Sequence, residues 1–265
     1  MKFNSVLLFP NSSGRVTEAQ VASVEEKLDS LGIEHKRELA DPFTPDAVIA
    51  LGGDGTMLAA AHIAVERNIP LLGINFGTLG YMTGLESGEI ELLDLLAEGA
   101  ETEKRMLLEV TIEHAGEVAA AYTALNETAI LRYPDSDMLR CELGCDGATV
   151  CAYRADGVII ATPTGSSAYA MSAGGPIIDT KLDAFCVCPV CPHALNTRAM
   201  IFSPNSELSI KNLSESGEFA VTADGRHVSR LFTGDTVKVK RSGRNLQLIK
   251  LKKDAFYDVL YRKLK

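Results

Sequence analysis

The feature that most restricts this chain's fold is a change of hydrophobic period near residue 105. Before that point, short apolar runs without alternation take turns with segments of helical spacing. Residues 47–51 and 71–74 are such runs, which suits strands buried on both faces of a sheet, and residues 2–9 are an apolar, β-rich run ending at Pro10. Between them Val21, Val24, Leu28 and Leu31 recur at helical spacing, and Gly32 stops the pattern. Thr17-Glu18-Ala19-Gln20 puts a hydroxyl and an amide at capping-box spacing ahead of that helix. Residues 57–67 and 89–98 also read as helices. Strands alternating with helices predict a parallel sheet with helices on its faces.

After residue 105 the segments are short and rich in β-branched residues: 107–113, 119–125, 138–143, 149–153, 219–222, 236–240 and 246–251. Asp146-Gly147, Asp224-Gly225 and Ser242-Gly243 read as the turns between them. Residues 254–265 set Phe256, Val259, Leu260 and Leu264 on one side of a closing helix. The expectation is an α/β protein in three parts. Residues 1–104 form a Rossmann-like parallel α/β domain. Residues 105–251 form a β-sandwich-like, mostly antiparallel domain. Residues 252–265 form a segment that packs back on the first domain.

Charge narrows the partners. There are 26 basic and 35 acidic residues, a net charge of −9. Such a chain is not built to coat nucleic acid or an anionic membrane. No apolar run approaches the roughly 20 residues of a membrane span, and the start lacks a leader's cleavage site. The six cysteines begin only at Cys141, which suits the free thiols of an intracellular protein. A cytoplasmic location follows as the expectation.

The run of residues 47–51 ends in Gly52-Gly53-Asp54-Gly55-Thr56 and then a helix. Glycines let amides approach a ligand closely, and a helix N-terminus offers unpaired N–H groups. That is a phosphate cradle. It is neither a Walker loop, since Gly-Lys-Ser/Thr is absent, nor the dinucleotide fingerprint. A plain capped turn is the competing reading, but a carboxylate beside a phosphate cradle is costly unless it acts as a base or meets a metal. A second glycine set, Gly73-Ile74-Asn75-Phe76-Gly77-Thr78-Leu79-Gly80-Tyr81, leaves another buried run. Later come Asn126-Glu127, then Arg154-Ala155-Asp156-Gly157, and residues 162–172, dense in Ser, Thr, Tyr and Gly. Hydroxyls and amides of that kind suit a ribose and a base edge, and Tyr169 suits stacking.

Taken together, Gly52-Gly53-Asp54-Gly55-Thr56, Asn126-Glu127 and Asp156-Gly157 followed by Thr162-Pro163-Thr164-Gly165-Ser166-Ser167-Ala168-Tyr169 resemble the NAD kinase family. The resemblance runs from about residue 47 to residue 225. It implies transfer of a terminal phosphoryl group from ATP or polyphosphate to the 2′-hydroxyl of the adenosine ribose of NAD, giving NADP. It assigns the base to Asp54, with Gly53 and Gly55 in the phosphate loop. Asn126 and Glu127 match the pair that holds the ribose and adenine, and Tyr81 an aromatic near the ligand. Arg154 and Asp156 match residues near the nicotinamide that a neighbouring subunit supplies. Ser167, Ala168, Tyr169 and Ser172 match the pocket lining, and Cys191 and His193 fall at a bend near the nicotinamide end. Arg226 stands where many members carry Gln. Mg²⁺ accompanies the donor, and the family is oligomeric, often tetrameric. A lipid kinase sharing the Gly-Gly-Asp-Gly turn and a non-catalytic nucleotide sensor are the rival readings.

Cys186-Val187-Cys188-Pro189-Val190-Cys191-Pro192-His193 offers zinc-type ligands. On a strand, Cys186 and Cys188 share one face, and Cys191 lies beyond a proline-interrupted bend. Packed thiols are the reading adopted, with no metal-ligating residues assigned.

Overall fold

A computed structural model describes residues 1–11, 14–78, 80–215, 217–253 and 255–265. Leu79 of the second glycine set and Asp254 of the closing helix therefore lie outside the described residues. The chain forms two compact units. One comprises Met1–Arg105 with Asn245–Lys265, the other Met106–Arg244.

The elements of the first unit are β1 (Ser5–Pro10), α1 (Glu18–Ser30), β2 (Glu34–Lys36), β3 (Ala47–Leu51), α2 (Asp54–Arg67), β4 (Leu71–Asn75), β5 (Leu85–Glu86) and α3 (Asp94–Glu98). Strands β4, β3, β1 and β2 lie side by side, all parallel. β3 and β4 are buried at every position, which is why their sequences do not alternate. Thr17 caps α1 with both bonds of the capping box: its Oγ1 accepts Gln20 N–H at 3.3 Å, and Gln20 Oε1 accepts Thr17 N–H at 2.9 Å. Val21, Val24 and Leu28 of that helix join Val6, Leu8, Ile49, Leu72 and Ile74 in one core.

The second unit follows with β6 (Glu101–His114), β7 (Glu117–Ala124), β8 (Glu127–Arg132), β9 (Leu139–Cys145), β10 (Ala148–Ala155), β11 (Gly157–Ala161), α4 (Tyr169–Ser172), β12 (Phe185–Val190), β13 (Met200–Phe202), β14 (Leu208–Asn212), β15 (Phe219–Ala223), β16 (Arg226–Leu231) and β17 (Thr236–Lys250). β6 starts in the first unit, and β17 carries the chain back to it, ahead of α5 (Ala255–Lys263). One run of antiparallel strands orders β10-β9-β14-β17, and a six-stranded antiparallel sheet orders β13-β12-β11-β8-β15-β16. Leu143, Ile210 and Val239 from the former meet Ile130, Ile160, Phe185, Val187 and Val221 from the latter in a shared core. This is the mixed α/β architecture expected, with a parallel N-terminal sheet and antiparallel C-terminal strands.

The second sheet is buried on its other face too. Ile159, Ala161, Cys186 and Cys188 pack there with Ala129, Ala170 and Ile178. Alternation along β12 thus sends Phe185 and Val187 to the sandwich core and the two cysteines to the side of α4.

Two local expectations need correction. Asp146-Gly147 and Asp224-Gly225 are hairpin turns with positive φ at both residues (52° and 81°; 48° and 75°). Ser242-Gly243 is not a turn; it lies inside β17. Ser242 is buried and its hydroxyl accepts the Arg244 N–H at 3.1 Å, so the polar dipeptide is satisfied within the strand. Residues 89–98 are also not one helix. A 3₁₀ stretch over Ser87–Leu93 precedes α3, broken at Glu89 (φ −113°, ψ 18°). The Glu89 carboxylate is drawn back to the Glu86 N–H (2.8 Å) and across to Lys252 (2.7 Å).

Candidate active site

In the first unit, β3 runs straight into the glycine turn. Gly52 has φ +152°, and a Cβ there would lie 2.3 Å from Thr56 Oγ1, so the turn needs glycine. Gly53 is the N-cap of α2 and offers no side chain to the first amides. Thr56 N–H turns back to Gly53 O (2.9 Å), so among the described residues the Asp54 and Gly55 amides and the helix dipole remain for a ligand. Asp54 does not cap the helix. Its Oδ2 accepts Tyr81 N–H and its Oδ1 accepts Met82 N–H, each at 2.9 Å. A Cβ on Gly80 would stand 2.5 Å from Asp54 Oδ1, so glycine is what lets the carboxylate come so close. The acid of the first glycine turn thus ties down the second.

Asn75 shapes that second turn from below. Buried at the end of β4, it donates from Nδ2 to Thr78 O (2.7 Å) and accepts Gly77 N–H at Oδ1 (3.0 Å). Asn11 Nδ2 donates to Thr56 Oγ1 at 2.8 Å. Together these loops line a cavity of about 340 Å³ whose wall also includes Arg15 and Lys263. Asp54 is the sole carboxylate among the described residues lining it. Tyr81, half-buried, carries the Lys263 ammonium 4.1 Å above its ring centroid. Sequence reasoning singled out Asp54 and its glycines but passed over Asn75, Asn11, Arg15 and Lys263. An Asn at the C-terminal end of a buried strand was the available signal for Asn75. Nothing local marked the two cations.

In the second unit, Asn126 directly precedes β8 and Glu127 opens it, and both are nearly inaccessible, at 7% and 5% exposed. Asp224 holds their backbone: its Oδ1 accepts the N–H of Asn126 (2.7 Å) and Glu127 (3.3 Å), and its Oδ2 that of Leu125 (2.9 Å). The Asp-Gly pair was legible as a hairpin, but the anchoring role of its carboxylate was not. Residues 162–167 pack against the same pair. Thr162 N–H donates to Asn126 O (2.8 Å), and the Thr162 hydroxyl donates to Leu125 O (2.6 Å). Gly165 sits so close that a Cβ would lie 2.0 Å from Asn126 O.

Two of their side-chain atoms are unpaired: among the described residues, Asn126 Oδ1 and Glu127 Oε2 are buried without a hydrogen-bond partner. Buried polar atoms are nearly always bonded, so two adjacent orphans call for a ligand. Burial, and then the charge of Asp224, push the Glu127 carboxyl up to about 7. Tyr169, 38% exposed, has its hydroxyl raised by burial and by the charges of Cys191, Glu127 and Asp156.

Other expected residues are less committed. The hydroxyls of Ser166 and Ser167 donate inward, to Pro163 O (2.6 Å) and Thr164 O (3.2 Å), and so build the loop. Ala168 is half-buried beside them, and Ser172 is exposed at the end of α4. Asp156 pairs with Arg132 at 2.6 Å, not with Arg154. Arg154 accepts the His193 N–H at its carbonyl (2.8 Å), and both line a separate cavity of about 670 Å³. Arg226 is exposed at the start of β16. Cys186 and Cys188 bring their sulfurs to 3.3 Å, while Cys191 is exposed past the bend with φ 45°. Among the described residues no group of three or more His, Cys, Asp or Glu side chains is arranged to hold a metal ion.

Comparison with known proteins bears on this geometry. Residues 12–99 match the family model of the ATP-NAD kinase N-terminal domain, and residues 125–251 that of the ATP-NAD kinase C-terminal domain. An NAD kinase of Symbiobacterium thermophilum is 40% identical over 234 residues, covering 86% of this chain and 83% of its own length. The chain belongs to the NAD kinase family. An NAD kinase of Acidobacterium capsulatum is 37% identical over 223 residues, covering 83% of this chain and 78% of its own. Among solved structures, a yeast NADH kinase complexed with NADH shares the fold at TM-score 0.86 and 22% identity, covering 100% of this chain and 88% of that one. An NAD kinase from Archaeoglobus fulgidus in complex with ATP gives TM-score 0.75 at 26% identity, covering 98% of both chains. Membership of the NAD kinase family makes the chain a kinase.

Proposed function

We propose that this NAD kinase family member phosphorylates the 2′-hydroxyl of the adenosine ribose of NAD, giving NADP, with ATP or polyphosphate as donor. The observation that carries the reading is the pair of buried, partnerless acceptors, Asn126 Oδ1 and Glu127 Oε2. They suit the donors a ribose and an adenine edge present. A purely apolar ligand part would leave both unsatisfied. The ligands of the two structural relatives, NADH in one and ATP in the other, are of the same chemical class.

The reaction then proceeds by in-line displacement. The 2′-oxygen forms a bond to the terminal phosphorus, and the bond from that phosphorus to the bridging oxygen breaks. The electron pair stays on the departing ADP or shortened polyphosphate, and the hydroxyl proton passes to the Asp54 carboxylate. Asp54 is suited to this because two N–H bonds fix its plane while each oxygen keeps a lone pair. Gly53 and Gly55 leave room for phosphate oxygens against the first amides of α2. In the second unit the stretch Ser167, Ala168, Tyr169 and Ser172 bounds the acceptor, with Tyr169 as the stacking surface, and Tyr81 keeps the place near the ligand that the family resemblance implies. Arg154, Asp156, Cys191, His193 and Arg226 are assigned to the acceptor's outer parts, Arg154 and Asp156 toward the nicotinamide of a neighbouring subunit in a homo-oligomer, a tetramer by family habit.

A divalent ion fits as a passenger on the donor. Mg²⁺ keeps most of its water and needs only one or two carboxylates besides phosphates, and Asp54 is the carboxylate in the loop cavity. When bound, Mg²⁺ neutralises charge on the phosphates. No described helix is long and apolar enough to cross a membrane, and we assign the enzyme to the cytoplasm, where its nucleotides are. The test is a coupled assay with NAD or NADH, ATP or polyphosphate, and Mg²⁺. NADP formation supports the reading, NAD binding without product favours a sensor, and indifference to NAD favours a lipid kinase.

A further inference from the structure

We infer that Lys263, at the end of α5, binds the phosphates of the donor, with Arg15 as its companion. The inference rests on the phosphoryl-transfer reading of the glycine-loop cavity and names which cations serve it.

A glycine cradle in a chain of net charge −9 has an electrostatic deficit. The long-range field disfavours a polyanion, and the cradle holds its own carboxylate, Asp54. A Walker loop answers with a lysine inside the loop. Here residues 52–56 contain none. The fold delivers cations from elsewhere in the same unit: Arg15 follows β1, and Lys263 lies 209 positions after Asp54 by their numbering (263 − 54). Both line the loop cavity, and among the described residues neither is paired with a carboxylate.

Lys263 is held there. Its ammonium lies 4.1 Å over the Tyr81 ring, and the Tyr81 N–H is bonded to Asp54 Oδ2. The neighbouring Arg262 is clamped to Glu86, and Lys252 to Glu89, so α5 is tied down near the loop it serves. A cation over a ring face keeps its N–H donors on the far side for an anion. An ammonium is also a compact charge well matched to phosphate oxygens. A lysine serving only to pack α5 would gain nothing from facing the cavity.

The test uses full-length Lys263→Met, Lys263→Arg and Arg15→Met, with Lys265→Met as control. Lys265 sits over Tyr261 in the same terminal segment and is not among the cavity-lining residues. Lys263→Met should raise the KM for ATP roughly tenfold, as expected for losing one charge-assisted bond. It should leave the KM for NAD and the Tm unchanged. Lys263→Arg should restore most of the loss, and Arg15→Met should weaken ATP in the same direction. Equal shifts in both KM values, or an ATP KM within twofold of wild type, would overturn the inference. A second readout is independent of turnover: tripolyphosphate should raise the Tm of wild type and of Lys265→Met, but raise that of Lys263→Met much less. If wild type forms no NADP yet shows this pattern, the NAD reading fails and the assignment of Lys263 stands. If wild type is active and the pattern is absent, the reverse holds.

Discussion

Oδ2 of Asp54 accepts the main-chain N–H of Tyr81 at 2.9 Å, joining the glycine turn after β3 to the one after β4. The carboxylate assigned to proton transfer is therefore also a strut. Asp54→Asn should separate the two roles. Asparagine keeps one oxygen for one of the two amides but turns an NH₂ group toward the other. Folding should persist with a loss of roughly 1–3 kcal/mol, while kcat falls by about 10²–10⁴. Thermal melts and NADP-forming kinetics check this together, and wild-type kcat in the variant would remove Asp54 as the base.

Two glycines that look alike in sequence should behave differently. At Gly80 a new Cβ would meet Asp54 Oδ1 at 2.5 Å, the end of a side chain that can swing away. Gly80→Ala should fold, with kcat down on the order of 10²-fold from the displaced carboxylate. At Gly165 the obstruction is backbone, Asn126 O at 2.0 Å and its carbonyl carbon at 2.4 Å. Gly165→Ala should cost about 4 kcal/mol or more, since backbone must move. Equal stability of the two variants in denaturant titrations would contradict the geometry.

What the sequence revealed follows from the range of the physics. Unalternated runs such as Ala47–Leu51 and the Thr17/Gln20 cap are local patterns, and both were readable. The shared face of Cys186 and Cys188 was readable for the same reason. Asp224 was seen only as a turn residue because its donors, the amides of Leu125 and Asn126, lie 99 and 98 positions away. Lys263 and Arg15 carry no pattern at all; their use depends on where α5 and the loop after β1 fall. Ser242-Gly243 misled because a polar, glycine-containing pair inside a long strand resembles a hairpin until its burial is known.

Glu127 should make stability depend on pH. Its carboxyl sits at about 7 in the folded chain against 4.5 ordinarily, raised by burial and then by Asp224. The folded state thus holds the proton more tightly than the unfolded one. The stabilisation is complete below about pH 4.5 and is lost as pH rises through about 7, a span worth roughly 3 kcal/mol. Glu127→Gln removes the ionisation, so it should raise the Tm at pH 8.5 and change it little at pH 4. It should also weaken NAD binding. A Tm difference between variant and wild type that does not vary with pH would show that Glu127 does not titrate in this way.

The thiols should react in an order set by their places. Cys191 is exposed, Cys145 and Cys151 are half-buried, and Cys141, Cys186 and Cys188 are buried. Only the thiolate attacks an aromatic disulfide reagent. Burial pushes the Cys141 thiol up to about 12. Within the Cys186–Cys188 pair the sulfurs share a hydrogen bond at 3.3 Å, which raises Cys186 and lowers Cys188. The lowered partner is nonetheless shielded, because α4 and Ile178 cover that face of the sheet. Native protein should therefore yield one fast thiol, Cys191, and two slower ones, with all six released only in denaturant. A Cys191→Ser variant should lose the fast phase alone. Release of the Cys186 and Cys188 thiols in the folded enzyme at the rate of Cys191 would mean that the layer over β12 opens freely, and the loop of residues 162–172 with it.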